Sequence, residues 1–100
     1  MSAVEPLPVA PDHPAFDGHF PAMPIFPGAA LLDLTLDAIQ RSHKIDLGQW
    51  RASAKFLSFV RPGDVPLLEH AAASPTLIRF TVRVAERTVA SGSLVREPGA

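Results

Sequence analysis

The stretch GHFPAMPIFPGAALLD, residues 18–33, joins a rigid loop to an apolar segment. Its first part carries Pro21, Pro24 and Pro27, and proline both restricts φ and lacks a backbone donor, so this part disfavours helix and central strand. Pro27-Gly28 suits the start of a helix, because proline is accepted in the first helical turn. The stretch therefore predicts a proline-rich loop that leads directly into a helix.

The segment after Gly28 is apolar at most positions from residue 29 to residue 39. A helix that is apolar on most of its faces is buried. Polar residues return at 40–44, where cations oppose the negative end of the helix dipole. We predict one long, buried helix that ends before Gly48.

The rest of the chain changes from a helical to an alternating pattern. Leu77, Arg79, Thr81 and Arg83 alternate with apolar residues, which is typical of a strand with one buried face. Proline, glycine and charged pairs mark the turns. Strands are predicted at 51–60, 65–72, 76–85 and 88–96, with turns at 61–64, 74–75 and 86–87.

These elements predict an α+β fold in which one long helix packs on an antiparallel sheet. The 100 residues form a single domain, with an extended lead-in at 1–11 and a tail at 97–100. Part of the lead-in, residues 4–9, has the pattern of a short edge strand.

Composition limits the classes of function. Apolar residues make up 47% of the chain and charged residues 19%, which favours an oligomer that covers apolar surface. The formal charge of -1 and the lack of a basic run argue against nucleic acid as a partner. Cysteine is absent, which excludes disulfide and thiolate chemistry. The start, MSAVEPLPVAP, lacks the features of a signal peptide, and no apolar run has the length of a membrane span, so we expect a cytoplasmic protein.

Asp33 is unusual because it lies in the middle of the apolar helix. A buried carboxylate is costly unless it is paired or protonated. One interpretation is therefore a functional acid. The other is that Asp33 faces a narrow solvated side of the helix, together with Asp37 one turn later.

His19 also has two interpretations. It is either a loop histidine packed among Phe16, Phe20 and the prolines, or a general base near neutral pH. The other histidines are assigned to a loop (His13), a helix end (His43) and a strand surface (His70). No pair of histidines has the spacing of a metal site, and we expect no metal and no cofactor.

His19, Asp33 and Gly28 together suit one reaction. A histidine removes a proton, a desolvated acid returns one, and the free N–H groups at a helix start stabilise a carbonyl oxygen that gains charge. Gly28 has no side chain and lets a substrate approach the backbone. This combination indicates proton abstraction beside a carbonyl with loss of a β-substituent.

The motif GHFPAMPIFPG followed by LLD resembles the signature of the 3-hydroxyacyl-acyl-carrier-protein dehydratases of the hotdog fold (FabA/FabZ-like). In that family an acid follows the histidine by fourteen positions, as Asp33 follows His19; it is Glu in one branch and Asp in the other. ASAKFLSFVRPGD, residues 52–64, and TVASGSLV, residues 88–95, are similar to later segments of the family. The resemblance covers residues 12–96.

The resemblance implies a hotdog dimer in which His19 of one chain faces Asp33 of the other, with Gly28 binding the carbonyl. It implies dehydration of a 3-hydroxyacyl thioester on acyl carrier protein to the trans-2-enoyl thioester. It also implies an acyl tunnel and a surface for the carrier protein. Candidates for the tunnel are Phe20, Met23, Ile25 and Phe26, and candidates for the carrier contact are Arg51, Lys55 and Arg61.

The short segment before His19 is more similar to stand-alone dehydratase-like proteins of aryl polyene pathways, and a tyrosine gate is excluded because the chain has no tyrosine. Three alternatives stay open at this point. The protein is a hotdog acyl thioesterase, a non-catalytic partner of an active homologue, or a dimerisation or ligand-binding module. The oligomer is a homodimer, a heterodimer with a homologue, or a larger assembly.

Overall fold

The computed structural model describes residues 2–17 and 24–97. These residues form five strands and one long helix, with two short 3-10 turns at Pro14–Phe16 and Leu47–Gln49. The α+β prediction is therefore confirmed. The elements are β1 (Ser2–Pro6), α1 (Gly28–His43), β2 (Trp50–Phe56), β3 (Leu67–Ser74), β4 (Leu77–Val84) and β5 (Arg87–Arg96).

All five strands belong to one antiparallel sheet with the order β1-β3-β4-β5-β2. The lead-in supplies the edge strand β1, which starts earlier than predicted and ends at Pro6 because proline cannot continue the ladder. Leu7 then turns away and donates its N–H to the carbonyl of Pro66 at 2.9 Å. The first and second strands in chain order thus form the two edges of the sheet.

Helix α1 has the predicted start and end. Pro27 is its extended N-cap, and Lys44 ends it in the left-handed conformation with φ of 55°. The prediction of a helix buried on most faces is wrong for the single chain. Only the side chains on the sheet-facing side are buried, since one sheet covers one face of a helix: Leu31, Thr35, Ala38 and Ile39.

The core lies between α1 and the inner face of the sheet. On β4 the predicted alternation is confirmed, because Ile78, Phe80 and Val82 are buried while Arg79 is exposed. Strand β2 ends at Phe56 rather than at residue 60, and residues 57–64 form a loop. Within the described residues no helix is both long enough and apolar enough to span a bilayer.

Candidate active site

The N-terminal end of α1 carries backbone donors that have no hydrogen-bond partner among residues 2–17 and 24–97. The first intrahelical bond runs from the N–H of Leu31 to the carbonyl of Pro27 at 3.0 Å, so the N–H groups of Gly28, Ala29 and Ala30 have no partner within the helix. No described side chain caps this end, and the first turn contains no acid. The positive end of the helix dipole is therefore available to an oxygen that carries negative charge.

The segment before the helix is fixed by the loop after β2. The N–H of Phe26 donates to the carbonyl of Val60 at 2.8 Å. The Phe26 ring packs edge-on against Phe16 and His13, with ring centroids 5.3 and 4.9 Å away. This packing sets the position of Gly28, two residues later.

Arg87 holds the loop itself in place. Its guanidinium donates to Ser58 Oγ and to the carbonyl of Phe59, both at 2.5 Å, and lies 3.3 Å from a carboxylate oxygen of Asp64. Asp64 also accepts the N–H of Arg61 at 2.9 Å, which closes the turn predicted at 61–64. A residue at the start of β5 thus stabilises the loop that anchors the start of α1.

Gly28 has a packing role that the sequence did not reveal. A Cβ atom at this position would lie 3.3 Å from Cε1 and Cζ of Phe56. That is a tight contact, so the aromatic ring at the end of β2 favours glycine here. This packing role is compatible with the predicted role of Gly28 in binding the substrate carbonyl.

Asp33 is exposed in the single chain. It lies on one stripe of α1 with Ala29 and Asp37, which are also exposed, and Asp37 pairs with Arg41 at 3.1 Å. Of the two interpretations of Asp33, the one that places it on a solvated side of the helix agrees with its exposure in the single chain. Burial of Asp33 requires a second subunit over this stripe.

The other predicted residues divide into three groups. His19, Phe20 and Met23 lie outside the described residues. Ile25 and Phe26 are both buried, and Phe26 belongs to the hydrophobic core, which gives it a packing role rather than an exposed lining surface.

The cations predicted to contact a carrier protein are all exposed and form the third group. Arg51 and Lys55 lie on the sheet face that points away from α1, because Ala54 between them packs on the core. Arg51 is paired with Glu97 at 2.8 Å. Arg61 lies in the loop after β2, so the three do not share one element or one face.

A polar cluster at the C-terminal end of α1 was not predicted from the sequence. The assignment of His70 to a strand surface is wrong, because His70 is buried. His43 Nε2 lies 2.8 Å from His70 Nδ1, and Glu5 Oε2 lies 3.0 Å from His70 Nε2. The pattern in β3 contained the signal, since Leu68, two residues before His70, shares the buried face.

The part of the chain that the structure describes contains no group of three side chains arranged to hold a metal ion. The absence of a metal or cofactor stays a prediction. Three surface depressions in the same part are lined by residues other than Gly28 and Asp33.

The architecture defines the class of protein. One long helix against a five-stranded antiparallel sheet, in the order observed here, is the hotdog fold, and the predicted fold class is confirmed. The chain belongs to the ApeI-like family: the family model, described as ApeI dehydratase, matches residues 2–93. A search of curated proteins by sequence finds no significant match.

Solved structures support this assignment. The chain is similar to the dehydratase heterocomplex ApeI:P from Xenorhabdus doucetiae, with 26% identity, a TM-score of 0.72, and coverage of 94% of this chain and 85% of that one. It also shares its fold with a mutant of the fluoroacetyl-CoA-specific thioesterase FlK in complex with fluoroacetate and CoA. That structure has 13% identity, a TM-score of 0.67, and coverage of 94% of this chain and 88% of that one.

The predicted resemblance is thus confirmed at the level of a hotdog dehydratase family. The family shown is the ApeI-like one, and membership of the narrower FabA/FabZ-like family is not confirmed.

Proposed function

We propose that the protein dehydrates a 3-hydroxyacyl thioester, carried on acyl carrier protein, to the trans-2-enoyl thioester in fatty acid, polyene or lipid biosynthesis. The observation that carries the proposal is the match to a dehydratase family over residues 2–93, a range that includes both His19 and Asp33. The free N–H groups at the start of α1 support it further.

In this mechanism His19 removes a proton from C2, next to the thioester carbonyl. The carbonyl oxygen gains negative charge as C2 loses its proton. The N–H of Gly28 at the positive end of α1 stabilises that charge. The electron pair left at C2 forms the C2=C3 bond and expels the 3-hydroxyl group.

The departing hydroxyl needs a proton to leave as water. Asp33 of the partner subunit supplies it, directly or through a water molecule. Desolvation favours the protonated form of a carboxyl group, so this role calls for another chain to cover the exposed stripe that contains Asp33. The proton that His19 took from C2 returns to Asp33 after the product leaves, which restores the starting state.

A second subunit is therefore part of the proposal. Strand β2 is an edge of the sheet, and Phe56, Leu57 and Phe59 expose 46%, 52% and 55% of their surfaces at its end. An edge strand with one unpaired side, next to exposed aromatic and aliphatic side chains, is suited to a protein interface. The similarity to a heterocomplex favours a homologous subunit as well as a second copy of this chain.

Acyl carrier protein is the proposed second partner. Arg51, Lys55 and Arg61 supply exposed cations for an acidic surface or a phosphate, although Arg51 is already paired with Glu97. Because Arg51 is already engaged by Glu97, we assign the carrier contact to Lys55 and Arg61 first. Such exposed charges act mainly on association rate and its salt dependence.

The test uses the full chain with a set of 3-hydroxyacyl carrier-protein thioesters and mass detection of the loss of one water. We expect His19→Ala and Asp33→Asn to lower the rate by roughly 10²–10⁴. Asp37→Asn, one turn away on the same exposed stripe, is the matched control and should keep activity. A normal rate in folded, dimeric His19→Ala would overturn the mechanism.

Two alternatives predict other outcomes of the same assay. The first is a thioesterase, an alternative that the shared fold with FlK suggests. It would hydrolyse saturated acyl thioesters. The second is a non-catalytic partner subunit, an alternative that the similarity to a heterocomplex suggests. It would show no turnover alone but would support turnover by a homologous subunit. The dehydratase proposal requires turnover of the 3-hydroxy substrate that depends on His19 and Asp33 of this chain.

A further inference from the structure

Three titratable side chains from three elements meet at the C-terminal end of α1. His43 is the last residue of α1, His70 lies in the middle of β3, and Glu5 lies in β1. The two separations are 2.8 Å between the imidazoles and 3.0 Å between His70 and the carboxylate. Glu5 is diagonal to His70 across the β1–β3 ladder, in which Ala3 is opposite His70 and Glu5 is opposite Leu68. The helix, the edge strand and its neighbour are thereby joined by one chain of hydrogen bonds.

The chemistry of the three groups determines where the protons lie. An ionised carboxylate only accepts, so His70 Nε2–H donates to Glu5. A neutral His70 then has an acceptor at Nδ1, and His43 must donate to it through Nε2–H. One proton added to the pair of histidines leaves the His43–His70 and His70–Glu5 hydrogen bonds intact. A second one places an N–H on both sides of the 2.8 Å contact and a positive charge on both rings, which breaks the contact.

Neighbouring elements direct apolar side chains toward the cluster of Glu5, His70 and His43 and charged side chains away from it. The inner face of β4 that packs beside it is apolar, with Ile78, Phe80 and Val82. On β3 itself, Glu69 lies on the opposite face of the sheet, where it pairs with Arg83. His70 is buried and lies opposite Phe80 of this apolar face in the β3–β4 ladder.

The charged groups on α1 are also directed elsewhere. Asp37 and Arg41 pair with each other on the exposed side of the helix. Lys44, directly after His43, is exposed. The charges that act on His43 are those of His70 and Glu5.

Titration of His43 agrees with this geometry. Burial, and after it the neighbouring His70, lower the pKa of His43 below its ordinary value of 6.5, while Glu5 acts in the opposite direction. A histidine with a lowered pKa favours the fold when it is neutral. Its contribution to stability is thus present above pH 6.5 and is lost as the pH falls through the lower pKa of the folded state.

We propose that Glu5, His70 and His43 form a proton-binding latch, which holds the edge strand β1 against the end of α1 near neutral pH and releases it in acid. Among the residues that the structure describes, strand β1 pairs only with β3, over five residue pairs. Its attachment therefore depends strongly on the additional contact to the helix. The latch lies at the opposite end of α1 from Gly28, and the proposal does not rest on the proposed reaction.

The test is hydrogen exchange of backbone amides at about pH 7.5 and about pH 5, corrected for the intrinsic rate of exchange. In the wild type we expect the protection of β1 to fall by about tenfold or more in acid, as for local opening of an edge strand, while β4 and β5 stay protected. His43→Gln is the informative variant. A glutamine amide can donate to or accept from His70 and does not titrate, so its β1 should stay protected at both pH values.

A second measurement checks the protons directly. The ring signals of His43 in the wild type should report its protonation below pH 6.5, in the same pH range in which β1 loses its protection. The proposal is overturned if β1 of the wild type keeps its protection in acid. It is also overturned if β1 opens equally in His43→Gln, or if all strands lose protection together.

Discussion

The ring of Phe56, the last residue of β2, packs against Gly28, the first residue of α1, so closely that a methyl group on Gly28 would lie 3.3 Å from two ring carbons. This contact joins the proposed carbonyl-binding end of the helix to the edge strand proposed to lie at the dimer interface. Glycine at this position therefore has both a structural and a chemical explanation, and the two can be separated.

We expect Gly28→Ala to change the free energy of unfolding by less than about 0.5 kcal/mol, because Phe56 is half-exposed and its ring can move. Dehydration should nevertheless slow if the substrate carbonyl must approach the backbone at this position. Gly28→Ala combined with Phe56→Leu removes the ring contact. If the double variant regains full activity, the glycine serves packing alone.

Gly92 should be intolerant of any side chain. A Cβ atom there would overlap the carbonyl oxygen of Ser53 and lie 2.6 Å from Cζ of Phe80. Gly92→Ala must separate β5 from β2 or displace a core ring, so we expect a loss of about 2 kcal/mol or more in urea unfolding. Ser91→Ala, the preceding residue on the same strand, is the control and should stay within about 0.5 kcal/mol of the wild type.

Arg87 should stabilise the loop at residues 57–64. Arg87→Ala removes three hydrogen bonds from a charged donor, to Ser58, Phe59 and Asp64, and we expect about 1–2 kcal/mol of destabilisation. The variant should also reduce dehydration, since the loop positions Phe26 and hence Gly28. Arg61→Ala is the matched control, because it removes an exposed cation of the same loop. Equal stability of the two variants would argue against the role of Arg87.

The exposed apolar patch formed by Phe56, Leu57 and Phe59 should be covered by a second subunit. Leu57→Asp places a charge in this patch and should shift the native mass from dimer to monomer while circular dichroism stays unchanged. Val4→Asp is the control, because Val4 is 59% exposed on the opposite edge strand. A Leu57→Asp protein that remains dimeric would place the interface elsewhere.

Local patterns in the sequence were sufficient for most of the fold. Pro27 and Gly28 predicted the start of α1, because proline restricts φ. Alternation predicted the buried side of β4, because side chains of a strand repeat every two residues. The limits of β2 were wrong at its end. The apolar residues after Phe56 continue the strand pattern in the sequence. The strand nevertheless ends there, because Arg87 binds Ser58 and Phe59 and holds them in a loop conformation.

The candidate site divides in the same way. His19, Gly28 and Asp33 were singled out by spacing and residue type within one short stretch. Whether Asp33 is buried could not be read from that stretch, because the exposure of a helix face depends on what packs against it. One sheet covers one face, and the stripe with Asp33 remains exposed in the single chain.

By itself, the sequence determined that one long helix packs on an antiparallel sheet, because apolar periodicity and the turn signals of proline and glycine are local properties. The hotdog dehydratase class was implied by the resemblance of the proline-rich motif to a known family. Only the tertiary structure brought Glu5, His43 and His70 together, although Glu5 and His43 lie 65 and 27 residues from His70 along the chain. Contacts over such separations follow from strand order and register, which place β1 beside β3 under the end of α1. Side chains that look unrelated along the chain become one hydrogen-bonded cluster for that reason.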